Sequence, residues 1–187
     1  MPPPIDRIHI LESVLVVWRE DGYQRATTRK IAALAGITEM TLFRRFGDKG
    51  ALFRAALELE AERFATDAIS YTGSLSVDLE RIVGAYEALL DRSVSIVLDF
   101  LVEAPRNPDL AAIRSVPMAA IGRIASIIGQ YQRDGHLRGR SPIDIVLALL
   151  SPLLMAALLR RAQPGLAIAM DRRAYVRNFL EGWAAEE

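Results

Sequence analysis

The chain has 187 residues, half of them hydrophobic, which is enough for one large domain or for a small one joined to a larger one. Its 23 basic and 23 acidic residues cancel, so the protein is neither uniformly cationic nor uniformly anionic. The lack of cysteine excludes disulfides, thiolate metal sites and a cysteine nucleophile.

The opening MPPPIDRIHI lacks the basic-then-apolar order of a signal peptide, and a cytoplasmic location is expected. Apolar residues recur mostly three and four apart and no hairpin signal appears, so the predicted fold is all-α, with about nine helices. The first helix is expected from Ile5 to Glu20, after Pro2 to Pro4, with Ile10, Val14, Val17 and Trp18 on one face. Gly22 is placed to end it at positive φ. Thr27 is the expected N-cap of a second helix reaching Ala35, because its hydroxyl accepts a free backbone N–H. Gly36 closes that helix, and Thr38 caps a third running to about Phe46. Asp48 opens a fourth that continues through Ala68.

Beyond Gly73, helices are expected at about 75–91 (Leu79, Ile82, Val83, Tyr86, Leu90) and 93–103 (Val94, Val97, Leu98, Leu101). A short helix near 109–115 precedes a long one at about 117–133, where Pro117 stands in the first turn or at a kink. Asp134-Gly135 ends it, Ser141-Pro142 starts the next, Gln163-Pro164-Gly165 is a loop, and a last helix covers about 171–184. From Ile145 to Leu159 the chain carries no charge over fifteen residues. A bilayer span needs about 20, and Asp144, Arg160, Arg161 and the internal Pro152 argue against one, so no membrane partner is expected. A helix apolar nearly all round must be covered on more than one face, and a second copy of the chain is the expected cover.

Charge is concentrated in one place. Residues 25–54 hold seven basic side chains (Arg25, Arg29, Lys30, Arg44, Arg45, Lys49, Arg54) against Glu39 and Asp48, and both lysines of the chain lie there. A local cationic surface on a neutral chain is the footprint of a nucleic-acid-binding module. The spacing of Thr27, Ile31-Ala32, Ala35-Gly36-Ile37-Thr38, Thr41-Leu42 and Phe46 is that of a helix-turn-helix, with Ala32 and Gly36 small where two helices cross. In this motif the start of the second helix meets base edges in the major groove of double-stranded DNA, which assigns that place to Glu39, Met40 and Thr41. Glu39 suits a cytosine amino group, Met40 a thymine methyl, and Arg44 a guanine or a phosphate. The bland reading is that such arginines are simply solvated and that Met40 and Phe43 belong to the core, with Phe43 partly buried.

These residues resemble the DNA-binding domain of the TetR family of bacterial transcriptional regulators: Gly22-Tyr23, Thr27, Ile31-Ala32, Ala35-Gly36-Ile37-Thr38, Thr41-Leu42-Phe43, Arg45-Phe46, Lys49 and Leu52. The resemblance covers about the first 55 residues. It implies a helix-turn-helix domain at 1–50 and a helical effector-binding and dimerisation domain at 51–187, the last two helices forming a four-helix bundle with a second subunit. It also implies that Arg29, Thr38, Arg45 and Lys49 contact phosphate. Four positions depart from the family pattern. Phe43 replaces a tyrosine whose hydroxyl reaches phosphate, Arg45 replaces a histidine, and Met40 stands where glycine is usual. Gly50 replaces a usual acidic residue in the first turn of the fourth helix.

Other candidates come from composition and helical position. Tyr86, Asp99, Phe100, Met118 and Tyr131 are candidates for an effector pocket, although aromatics and Met at this spacing are commonly core. Asp99, an acid in an apolar helix, either faces water or anchors a polar group. Leu149, Leu153 and Ala156, with Tyr175, Phe179 and Trp183, are the expected homodimer contacts. His9 and His136 do not form a metal pair, and no catalytic residue, metal site or cofactor is expected. The reading is therefore a ligand-responsive regulator, a repressor of a palindromic operator. A helical protein-interaction module without DNA binding, or a small-molecule enzyme, stands as the alternative.

Overall fold

A computed structural model describes residues 6–138, 141–166, 168 and 170–183, without the side chain of residue 183. The expected starting point at Ile5 and the interface candidate Trp183, as a side chain, lie outside the described residues. Among the described residues there are nine α-helices: α1 Arg7–Arg25, α2 Thr28–Leu34, α3 Glu39–Phe46, α4 Lys49–Ala68, α5 Leu75–Leu98, α6 Pro108–Ile113, α7 Ser115–Arg133, α8 Pro142–Ala162 and α9 Arg172–Trp183. A single π-helical turn, Asp99–Glu103, follows α5. The all-α expectation is met.

The boundaries follow from local chemistry. Asp6 caps α1 by accepting from the Ile8 amide at 3.1 Å. Thr27 accepts from the Lys30 amide and Thr38 from the Thr41 amide, each at 3.2 Å, as their positions in the sequence required. Asp48 accepts from the Ala51 amide at 2.8 Å and starts α4. Gly22 has φ of 74°, but α1 resumes for one more turn beyond it instead of ending there. The expected break near residue 92 is a distortion at Ser93 (φ −140°) inside one long helix. The helix expected at 93–103 is therefore the end of α5 plus the π turn, and Leu101 within that turn is exposed.

The chain packs as two compact units. One contains residues up to Glu62 together with Ser95–Pro117. Its core gathers Ile10, Val14, Val17 and Trp18 of α1 with Ile31, Leu42, Leu52 and Phe53, and with Leu110 and Ile113 from α6. The Trp18 ring centroid lies 5.0 Å from that of Phe53 and 5.9 Å from that of Phe100, and Tyr23 meets Phe53 edge-on at 4.9 Å. Arg19 pairs with the buried Glu60 at 3.3 Å, so that carboxylate is not left uncompensated.

The second unit contains Arg63–Val94 and the chain from Met118 onward. Its polar centre is Asp78, fully buried, which accepts from the Tyr131 hydroxyl at 2.6 Å and from the amide and hydroxyl of Thr72, each at 2.8 Å. In α8, Ile145, Val146, Leu149, Leu150, Leu153, Ala156 and Ala157 are buried. Its mean hydropathy of 2.2 over a membrane-spanning length thus comes partly from residues packed within its own unit and partly from apolar residues left exposed. Leu149, Leu153 and Ala156 were expected at a dimer interface, but they are buried in their own chain. The sequence showed apolar residues on every face of α8, so it held no signal for which of them turn inward. The apolar residues α8 leaves exposed are Ile143, Leu147, Met155 and Leu159.

Candidate nucleic-acid interface

Helices α2 and α3 pack against each other through a turn in which Gly36 has φ of 67°. The Ile37 amide donates to the Ala32 carbonyl at 3.0 Å, closing α2. Of the eight residues of α3, Leu42 alone is buried. Everything else on that helix is at least partly accessible.

The accessible residues are those the motif assigned. Met40 is 79 % exposed and Phe43 41 %, so neither belongs to the core; Phe43 is exposed where partial burial was expected. Arg44 and Arg45 stand exposed in the last turn of α3, and Arg29 is exposed on α2. Thr38 and Thr41 bring their hydroxyl oxygens to 3.0 Å at the start of α3. Thr27 is exposed at the start of α2. Together these form a band of two threonine-capped helix starts and three exposed guanidinium groups, with no acidic side chain among its exposed members. Such a band has the donors and the charge to meet phosphate oxygens.

Three residues are held differently from expectation. Lys49 is half-buried: its Nζ donates to the Tyr23 carbonyl at 3.0 Å and lies 4.7 Å from the Tyr23 ring centroid. Burial pushes its pKa down, so this ammonium joins α4 to the end of α1 more than it projects outward. Glu39 accepts a hydrogen bond from the Thr28 hydroxyl, across the motif. Lys30 is paired with Asp21 at 2.8 Å and Glu20 at 3.2 Å, which cancels part of the local positive excess.

The effector candidates separate. Asp99 and Phe100 belong to the unit of α1–α3, whereas Tyr86, Met118 and Tyr131 belong to the other. The Asp99 carboxylate accepts from the Trp18 indole N–H at 2.6 Å and from the Tyr23 amide at 2.9 Å. It is an anchor for its own chain, the second of the two roles open to it. Ser95 and Gln24–Glu103 extend this line: the Ser95 hydroxyl donates to the Arg19 carbonyl at 3.2 Å, and the Gln24 amide to Glu103 at 3.0 Å. In the other unit the Tyr131 hydroxyl is taken by Asp78, Met118 is exposed, and burial pushes the Tyr86 hydroxyl up to about 12. Sequence reasoning missed the part played by Thr28 and left the role of Asp99 open between facing water and anchoring a polar group. Both act on partners distant along the chain, which no local spacing reveals.

Comparison with known proteins is consistent with this geometry. A family profile for bacterial regulatory proteins, tetR family, matches residues 10–56. The HTH-type transcriptional regulator UidR of Escherichia coli is 30 % identical over 154 residues, covering 80 % of this chain and 76 % of its own. The nucleoid occlusion factor SlmA of Shewanella amazonensis is 27 % identical over 163 residues, covering 80 % of this chain and 77 % of its own. In fold, the fatty acid degradation regulator FadR of Bacillus halodurans superposes with a TM-score of 0.74 at 16 % identity, over 94 % of this chain and 96 % of that one.

Proposed function

The chain belongs to the TetR family of bacterial transcriptional regulators, and from that premise we propose that it is a ligand-responsive repressor binding a palindromic operator as a homodimer in the cytoplasm. The observation that carries the DNA reading is α3, an eight-residue helix with one buried side chain, with Met40, Arg44 and Arg45 exposed and Thr41 half-buried beside them. Residues 1–50 would act on DNA and 51–187 would hold effector and partner. Arg29, Thr38 and Arg45 are the proposed phosphate contacts, and Glu39, Met40, Thr41 and Arg44 the base readers. Family membership supports the reading of a regulator in preference to an enzyme.

The dimer is supported by the exposed apolar residues of α8: Ile143, Leu147, Met155 and Leu159 lie on one four-residue row, interrupted by the exposed Ser151, and such rows form the ridges that interdigitate between helices. Phe179, half-buried on α9, and Tyr175 flank the proposal, although the Tyr175 hydroxyl already donates to the Leu149 carbonyl at 2.6 Å. A two-fold dimer presents two copies of α3, which must be about 34–36 Å apart, or a multiple of that, to enter successive major grooves. A small molecule held by the effector domain, with Tyr86 and Met118 as candidate walls, shifts this spacing only if its affinity differs between the two states.

Selection of genomic fragments with the purified protein, followed by sequencing, tests the whole reading. Enrichment of an inverted repeat whose affinity falls steeply with salt is expected. Failure to enrich any sequence, or a monomer by light scattering at micromolar concentration, would sink it.

A further inference from the structure

The hydrogen bond between Thr28 and Glu39 joins the first residue of α2 to the first residue of α3. Neither residue is needed there to cap a helix. Thr27 already serves the α2 start and Thr38 the α3 start, each accepting an amide at 3.2 Å. The residue that would close a capping box on α3 is Thr41, not Glu39. Glu39 thus makes no capping hydrogen bond; its charge suits the start of α3, but that alone does not fix a rotamer for a glutamate in the first turn of a surface helix. Here it is half-buried and tied back to α2. A threonine hydroxyl carries a single donor hydrogen, and this one is directed at Glu39. In this arrangement Thr28 has no hydrogen left to give to a phosphate.

We propose that Thr28 is a positioning residue for base recognition, fixing through its hydroxyl the carboxylate of Glu39 at the start of α3. This rests on the reading of α3 as the DNA-contacting helix. One carboxylate oxygen is held by Thr28, and the other is left in a set position as the acceptor for a cytosine amino group. The base preference at that step is then determined jointly by α2 and α3, and the neighbouring Met40 and Thr41 read beside a group that is already ordered.

The test compares the full-length wild type with Thr28→Val, Thr28→Ser, Glu39→Ala and the Thr28→Val/Glu39→Ala double variant. Each is taken through sequence selection and salt titration on selected and random duplexes. Valine keeps the shape and removes the hydroxyl. Thr28→Val is expected to lower discrimination at one base pair per half-site by about tenfold, the scale of one lost base contact. Its affinity for random DNA and its salt dependence should match the wild type. Thr28→Ser should retain the wild-type preference, and the double variant should behave as Glu39→Ala alone, the signature of residues acting as a unit. An unchanged preference in Thr28→Val overturns the proposal. So does a uniform loss over all sequences with an unchanged salt dependence, which would make Thr28 a phosphate contact through its uncharged hydroxyl. If the wild type selects no sequence at all, the DNA reading itself fails and the proposal falls with it.

Discussion

Helices α3 and α8 solve opposite problems with the same backbone. Helix α3 has one buried side chain in eight residues and shows the solvent two arginines, a methionine and a phenylalanine. Helix α8 buries seven side chains and still shows the solvent Ile143, Leu147, Met155 and Leu159. In each case the informative side chains are those left outside, because burial accounts for the rest. What α3 leaves out fits a charged polymer with edges to read; what α8 leaves out fits an apolar surface. The difference teaches that exposure has to be interpreted by chemistry, since isolated exposed apolar residues are ordinary and a ridge of them is not.

The contrast breaks first at the inward positions. Leu42→Ala in α3 and Leu149→Ala in α8 remove fully buried side chains, and each should cost about 2–5 kcal/mol in urea unfolding. A cost near zero for Leu149→Ala would return it to the list of interface residues. Next come the outward positions of α8. Leu147 is 51 % exposed and Met155 56 %, so glutamate at both should leave the fold intact. Between two copies, however, like charges repel by several kcal/mol, and the dimer dissociation constant should rise at least about a hundredfold. Sedimentation at graded concentration measures it.

On α3 the outward substitutions should be smaller and should touch only DNA. Arg45→Ala is expected to weaken binding about tenfold on every sequence and to reduce the salt slope by about one, whereas Arg44→Ala should change base preference. Neither should change the unfolding free energy by more than about 0.5 kcal/mol, as both are exposed. Equal losses of stability and affinity would mean that α3 is structural.

The smallest effect concerns the floor beneath the motif. Tyr23 is buried, and its hydroxyl has no hydrogen-bond partner among the described residues. Burial, with the negative charges of Asp109 and Asp48, pushes its pKa up to about 12 from an ordinary 10.0. The folded protein thus holds this proton more tightly than the unfolded chain. Its contribution is complete below about pH 10 and is lost as the pH rises through about 12. Tyr23→Phe should raise stability at neutral pH by up to about 1 kcal/mol, by deleting an unsatisfied buried group, and should flatten that alkaline loss. A destabilised Tyr23→Phe would show that the hydroxyl is satisfied after all.

Much of the motif was legible because its signals are local. Thr27, Thr38 and Asp48 cap the helices they precede in sequence, so reading three residues ahead was enough. The same local reading stopped α1 at Gly22, where Ala26 in fact returns a hydrogen bond to the Gly22 carbonyl at 3.0 Å and carries the chain one turn further. The family resemblance gave Lys49 to phosphate, and nothing nearby in sequence announces the Tyr23 carbonyl and ring that hold it here. In α8, Leu147 and Leu149 are the same residue type on opposite sides of the exposure boundary, and only packing tells them apart. The partners of Asp99 lie 81 and 76 residues away, which no periodicity encodes.

That last separation limits how this protein can be taken apart. An excised fragment of the first fifty residues, or a chimaera grafting them onto a foreign sensor, leaves the Asp99 carboxylate behind. The Trp18 indole and the Tyr23 amide would then enter the fragment's interior without an acceptor. The reading head is consequently not a portable cassette. It travels intact only with Ser95–Pro117, because exchanging Trp18 for a ring that has no hydrogen to donate would still leave the Tyr23 amide without its acceptor.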